Sequence, residues 1–271
     1  MFDEETSDAC PHFVGYYVRG VQNGQSPQWL QDRLKAIGLR PISALVDITN
    51  YINFDLCRPL HVYDADKLTG NIHVRLAKDG ETLQALDEFE YTLDQDDIAI
   101  CDESGVIGIG GIIGGQSTAV DAGTENVFIE CAYFDPKRIA RTGRDLQIVS
   151  DARYRFERGV DPAFTPEAAA IATNLVLKLC GGTASKHVQA GTAPDIRHTL
   201  PFDPDDCRRL SALDVDPEQQ AEILDALGFS PDRKNESNWQ VTTPSWRHDI
   251  GGAADLVEDI VRITGYDTIT P

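Results

Sequence analysis

From Asn71 to Tyr133 the chain reads as one short β-forming segment after another, separated by acidic or glycine turns. NIHVRLA, DIAICD, VIGIGGII and NVFIECAYF carry the branched and aromatic residues that suit a pleated surface. PHFVGYYVRGV, Pro11 to Val21, has the same character. Helical signals flank this sheet-forming block. Ser26 is a candidate cap, Pro27 suits a first helical position, and Gly38 can close the end. Trp29, Leu30, Leu34 and Ile37 supply the apolar stripe. Ser43 to Phe54 predicts a second short helix with Asn50 near its polar side. Thr165-Pro166-Glu167 opens a long helix through Leu179, ended by Gly181-Gly182. The class implied is α+β, a mixed-sheet domain with flanking helices.

A length of 271 residues is enough for two domains. A looser stretch, Thr183 to Leu200, carries Gly191 and Pro194 and ends at Pro201. The boundary is placed there, giving domains 1–197 and 198–271. In the second, Asp216-Pro217-Glu218-Gln219 starts a helix that Gly228 ends, and WQVTTP is a strand. A further helix carries Leu256, Val257, Ile260 and Val261 on its apolar side. Two helices and a few strands predict a small, winged-helix-like α+β module. Internal repeats and low-complexity segments are absent from the sequence.

Composition excludes several classes. No apolar run approaches the roughly 20 residues that span a bilayer, and the acidic start MFDEETSDAC is not a signal peptide. Six cysteines without CxxC spacing read as reduced, buried thiols of a cytoplasmic protein, not a zinc site. A net charge of −20 opposes non-specific binding to phosphate backbones. Between Asp135 and Arg158, however, seven basic residues outnumber four acidic ones. This segment is either a salt-bridged surface or a local site for a phosphate or an RNA end. Arg138, Arg141, Arg144 and Arg153 are its candidate RNA contacts.

Residues with chemical potential are few. His61 follows Pro59-Leu60 and is either a hydrogen-bonded structural histidine or a group that handles protons near neutrality. Glu130 lies inside the apolar strand VFIECAYF, facing either solvent or a pocket. GIGGIIGG, Gly108 to Gly115, is not a dinucleotide fingerprint. Its glycines mark either a close approach by another backbone or ligand, or tight strand packing. Asp87, Asp96, Asp97 and Asp102 read as a solvated acidic face. No GxSxG or HExxH motif occurs, so hydrolysis here would use positioned water, not a covalent intermediate.

Four segments together carry a family resemblance: TNYINFDLCRPLHVYD (Thr49 to Asp64), GIGGIIGG, FIECAYFDP (Phe128 to Pro136) and SDARYRFERGVDP (Ser150 to Pro162). In this order they resemble the beta chain of bacterial phenylalanyl-tRNA synthetases. PSWRHDI and DLVEDIVRITGYDTI extend the likeness to nearly the whole chain. The resemblance implies a fragment, with a tRNA-editing domain followed by a small module. The regions that bind tRNA and the anticodon, the catalytic-like domain and the alpha chain would lie elsewhere.

The implied activity is hydrolysis of tyrosine wrongly esterified to tRNA(Phe), supporting ATP-dependent aminoacylation in an α2β2 heterotetramer with the alpha subunit. By the same resemblance, Glu130 accepts the tyrosine hydroxyl, and His61 and Asn50 sit near the scissile ester. Gly111, Gly114 and Ala152 wall the pocket, and Ser150 supplies a hydroxyl where relatives often have threonine. Arg153 and Tyr154 depart from a Ser-His pair of some relatives. No cofactor is implied for this piece, with ATP and magnesium serving the full synthetase. The rival expectations are a tRNA-binding module without hydrolytic activity and a structural scaffold.

Overall fold

The computed structural model describes residues 4–235 and 237–268. The chain divides into two compact units, 1–194 and 195–271. In chain order the first unit contains α1 (Glu4–Ala9), β1 (His12–Arg19), α2 (Gln28–Ala36), α3 (Ala44–Asp55) and β2 (His61–Asp64). Short strands follow: β3 (His73–Leu76), β4 (Thr82–Gln84), β5 (Glu90–Thr92), β6 (Ile98–Asp102), β7 (Gly105–Ile109) and β8 (Ile113–Gly114). It ends with β9 (Asn126–Tyr133), α4 (Pro136–Asp145), α5 (Asp151–Phe156), α6 (Thr165–Cys180), β10 (Thr183–Ala184) and β11 (Val188–Gly191).

A five-stranded sheet has β1 beside β9 and β9 beside β2, while β10 and β11 share the outer edge of β1. A second sheet runs β3-β6-β7-β8, and β4 pairs with β5 as a hairpin. The α+β class is as expected. Every described pairing is antiparallel, where a mixed sheet was expected.

Alternation along the strands divides the core in two. Val18, Val62, Val127 and Ile129 point to one face of the five-stranded sheet, against Leu45, Ile48 and Ile52 of α3 and Ala172 and Val176 of α6. Phe13, Tyr63 and Ala132 belong to the other core, with Ile98, Ile100, Ile107 and Ile109 of the second sheet and Ile139 and Phe156 of α4 and α5. Gly15 is needed there, because a Cβ at this position would lie 2.1 Å from the Phe128 ring.

Several local expectations change. Pro27, not Ser26, is the residue before α2, and the Ser26 hydroxyl donates to Asp47 instead. Leu30 and Leu34 are buried, but Trp29 and Ile37 are exposed. The segment VIGIGGII is not one strand. It forms β7, a turn at Gly110-Gly111, and β8. The basic segment folds as α4 and α5, each capped by its preceding side chain, Asp135 and Ser150. Five cysteines are buried as expected, but Cys57 is exposed. The acidic residues are not one solvated face. Asp97 is buried and accepts from Thr142, and Asp102 is buried and accepts from the Thr69 and Ser104 amides.

The second unit contains β12 (Thr199–Phe202), α7 (Asp205–Ser211), α8 (Pro217–Ala226), β13 (Ser230–Asp232), β14 (Trp239–Thr242) and α9 (Ala253–Thr264). A 3-10 turn follows at Tyr266–Thr268. The sheet order is β12-β14-β13. One more helix, α7, forms than the sequence suggested, because Asp205 and Asp206 open a short turn of chain that buries Cys207. Leu256, Val257, Ile260 and Val261 are all buried, packing with Phe202, Leu224, Phe229 and Trp239. This is a small α+β, winged-helix-like arrangement. Ile269, the end of the DLVEDIVRITGYDTI motif, and the two residues after it, Thr270 and Pro271, lie outside the described residues.

Candidate active site

A cavity of about 460 Å³ opens in the first unit where α3, β2, the β7–β8 hairpin and the start of α5 meet. One stripe of α3 forms a wall: Val46, Thr49, Asn50 and Asn53 recur at the three- and four-residue spacing of a helix face. His61 and Tyr63 come from β2, Gly108, Gly111 and Gly114 from the hairpin region, and Ser150 and Ala152 from around α5. Glu130 reaches in from β9. All seven residues expected to catalyse or bind substrate therefore line one cavity: Asn50, His61, Gly111, Gly114, Glu130, Ser150 and Ala152.

Register explains the polar floor. Glu130 is the direct cross-strand partner of His61, and Tyr63 pairs with Phe128 two positions along. Residues opposite each other, and those two apart, share a sheet face, so Glu130, His61 and Tyr63 all project the same way. Glu130 is 4% exposed. Its Oε2 accepts the Tyr63 hydroxyl at 2.5 Å. Burial pushes the Glu130 carboxyl up to about 7, against the opposing pull of the Tyr63 hydrogen bond and the Arg58 charge. Burial, with the adjacent Glu130 charge, also holds the Tyr63 phenol well above its usual value. Burial drives His61 down to about 4, so its imidazole is neutral at physiological pH. The His61 ring packs edge-on against Tyr63, with centroids 4.4 Å apart.

The glycines make this packing possible. A Cβ on Gly114 would lie 2.5 Å from the His61 ring. Gly111 has φ +69° and a Cβ there would crowd Ile139, Phe134 and Phe156. Of the readings left open for GIGGIIGG, tight strand packing holds at Gly115, where a Cβ would lie 2.7 Å from the Ile107 carbonyl oxygen, whereas Gly111 and Gly114 make room for side chains.

Residues 9–181 match the model of the B3/4 domain. The chain belongs to the B3/4 domain family. Residues 200–266 match a tRNA synthetase B5 domain. The chain is 52% identical over 268 residues to the phenylalanine–tRNA ligase beta subunit of Paramagnetospirillum magneticum, covering 99% of this chain and 34% of that protein. To the same subunit of Rhodospirillum rubrum it is 53% identical, covering 98% and 34%. The chain thus spans about a third of the length of the curated relatives it matches. A solved N-terminal fragment of the phenylalanyl-tRNA synthetase beta-subunit from Pyrococcus horikoshii aligns at TM-score 0.43 and 19% identity, covering 95% of this chain and 72% of that one.

Within the B3/4 domain, Ser150 is committed to structure. Its Oγ donates to the Ile112 carbonyl at 2.8 Å and accepts from the Arg153 amide as the cap of α5. It therefore ties α5 to the glycine hairpin. Arg153 turns inward and donates to the Gly143 and Ile148 carbonyls and to Glu157, bracing α4 against α5. Arg141 pairs with Asp94, Asp96 and Asp145, and Arg138 with Asp96. Arg144 is exposed. The expected RNA-contact set is thus not one open basic surface: three of its four members are engaged with the protein itself.

Sequence reasoning missed three residues of the B3/4 domain. Tyr63 is the hydrogen-bond partner of Glu130. Asn53 lines the cavity, is 7% exposed, and its Oδ1 takes no hydrogen bond from any described group. The helical spacing from Asn50 could have found Asn53. Arg58, 1% exposed, sends Nη2 to the Ala132 carbonyl and the Thr165 hydroxyl at 2.6 and 2.7 Å. No local signal marks an arginine as buried. Among the described residues, no group of three His, Cys, Asp or Glu side chains is placed to hold a metal ion, and no helix is long and apolar enough to cross a membrane.

Proposed function

We propose that the cavity is a hydrolytic editing site that removes tyrosine mischarged onto tRNA(Phe), and that the chain works as part of a phenylalanine–tRNA ligase beta subunit. The observation that carries this reading is the buried carboxylate of Glu130 in a cavity otherwise lined largely by apolar groups and glycine. A ligand phenol placed there gains a charge-assisted hydrogen bond. A phenylalanyl group would instead leave the carboxylate oxygen that Tyr63 does not occupy desolvated and without a donor, which is the larger part of the discrimination.

Asn50 and neutral His61 then order the ester and an attacking water, and Gly111, Gly114 and Ala152 keep side chains out of the space the amino acid takes. The Ser150 hydroxyl serves by holding α5 to the hairpin, a positioning role. The terminal nucleotide of the tRNA would enter at the exposed rim, and the substrate's own ribose hydroxyl can assist. This work belongs to an α2β2 assembly with the alpha subunit in the cytoplasm, where ATP and magnesium serve aminoacylation outside this chain. The rival reading, an RNA-binding module driven by the basic segment, is weakened by the internal pairing of Arg138, Arg141 and Arg153.

The test is deacylation of tyrosyl-tRNA(Phe) by the full-length ligase carrying Glu130→Ala. The expected result is a loss of about a hundredfold, the scale of one buried charge-assisted hydrogen bond, with aminoacylation intact. Clearance at the wild-type rate would refute the reading.

A further inference from the structure

Glu130 is not alone on the floor of the cavity. The Tyr63 hydroxyl donates to Oε2 at 2.5 Å, and both side chains are buried, Tyr63 to 1% exposure. A carboxylate held at one oxygen loses rotational freedom, and its second oxygen keeps its lone pairs free to accept. The donor is itself held. Its ring meets the His61 ring edge-on at 4.4 Å, and its strand is locked to β9 by the Val62–Ile129 and Tyr63–Phe128 pairs. Gly108 lies beside it, and a Cβ there would come into van der Waals contact with the Tyr63 hydroxyl at 3.8 Å.

We infer that Tyr63 is a specificity-determining positioning residue: by occupying Oε2 it aims Oε1 of Glu130 into the cavity, where it selects a ligand that carries a phenolic hydroxyl. The inference rests on the editing reading and names the device that makes its selectivity. It also has a consequence for pH. Glu130 accepts a phenol most strongly when ionised, because the bond is then charge-assisted, and the Tyr63 hydrogen bond favours the ionised form. Beside burial, the groups that act on Glu130 are Tyr63 from β2 and Arg58 from the preceding loop; His61 is its cross-strand partner, and the Cys10 and Cys131 thiols feel its charge. Tyr63 and Arg58 pull the carboxyl down, His61 is neutral, and the buried thiols are un-ionised near neutrality. Removing the Tyr63 hydroxyl therefore moves ionisation of Glu130 to higher pH.

The experiment compares the full-length ligase with its Tyr63→Phe and Glu130→Gln variants, using tyrosyl- and phenylalanyl-tRNA(Phe) from pH 6 to pH 9. Phenylalanine keeps the ring and its packing and deletes one hydroxyl. For Tyr63→Phe the expected result is a drop of about tenfold in the tyrosyl-to-phenylalanyl rate ratio at pH 7, the scale of one lost hydrogen bond to a charge. The midpoint of the tyrosyl profile should rise, with recovery at alkaline pH. An unchanged ratio and midpoint in Tyr63→Phe, beside a collapsed ratio in Glu130→Gln, overturns the inference and leaves the editing reading standing. An equal loss on both esters with an unmoved midpoint also overturns it, by making Tyr63 merely structural. A ratio that survives Glu130→Gln defeats the editing reading itself.

Discussion

Two arginine-bearing regions of the first unit handle charge in opposite ways. Around β2 and β9, few ionisable groups occur, yet they are buried: Glu130, Tyr63 and Arg58 are each at most 4% exposed. Along α4 and α5 many charges occur, and most meet a partner at the surface, as Arg141 does with Asp94, Asp96 and Asp145. The proposed site lies in the first region, where burial strips water from the Glu130 carboxylate and raises it to about 7. Density of charge along the sequence marks a segment whose arginines mostly pair within the protein itself.

That contrast can be broken by experiment. The largest effect is expected at Arg58. Arg58→Ala leaves the Ala132 carbonyl and Thr165 hydroxyl without their donor and opens a void, so urea unfolding should show a loss of about 3 kcal/mol or more.

Next comes the pH dependence of stability. Glu130 titrates near 7 in the fold instead of about 4.5, so the folded state holds extra protons between these values. Its contribution to stability falls as pH rises across that window. His61 titrates near 4 instead of about 6.5, so its contribution rises with pH from 4 to 6.5 and is lost as pH falls. The two slopes oppose each other, and wild-type stability should be nearly flat from pH 4.5 to 6.5. Glu130→Gln should uncover a rise, and His61→Gln a fall, of up to about 3 kcal/mol each. Slopes of the same sign in the two variants would contradict the assignment.

The smallest effect is expected at the surface. Arg141→Ala should cost under about 1 kcal/mol, and less at high salt. If it instead weakened binding of tRNA(Phe) severalfold, the basic segment would regain a role in RNA contact.

How far the sequence could be read follows the same division. The helices α2, α3, α6, α8 and α9 announced themselves by apolar spacing and by the glycines that end α2, α6 and α8. Strands β1, β3, β6, β9 and β14 did so by composition. The α4–α5 pair did not: α4 is strongly amphipathic, but the face it buries is only Ile139, Thr142 and Gly143, and α5 spans only six residues. The site residues came from four separated segments that together carried a resemblance, and the structure gathers them. Their partnerships were not legible. Whether Ser150 caps a helix or serves chemistry depends on the Ile112 carbonyl, 38 positions away. Tyr63 reads as an ordinary strand aromatic until its hydroxyl meets Glu130. Arg58 reads as surface, since an arginine is rarely buried without an acidic partner.

The single hydroxyl of Ser150 also joins two events in time. It begins α5 and at the same moment pins the glycine hairpin through Ile112. Neither segment can open fully without releasing the other, so they behave as one cooperative unit of local unfolding. Amide protons of the hairpin and of α5 should then exchange with solvent at a common rate. One fluctuation would then loosen both walls of the cavity together.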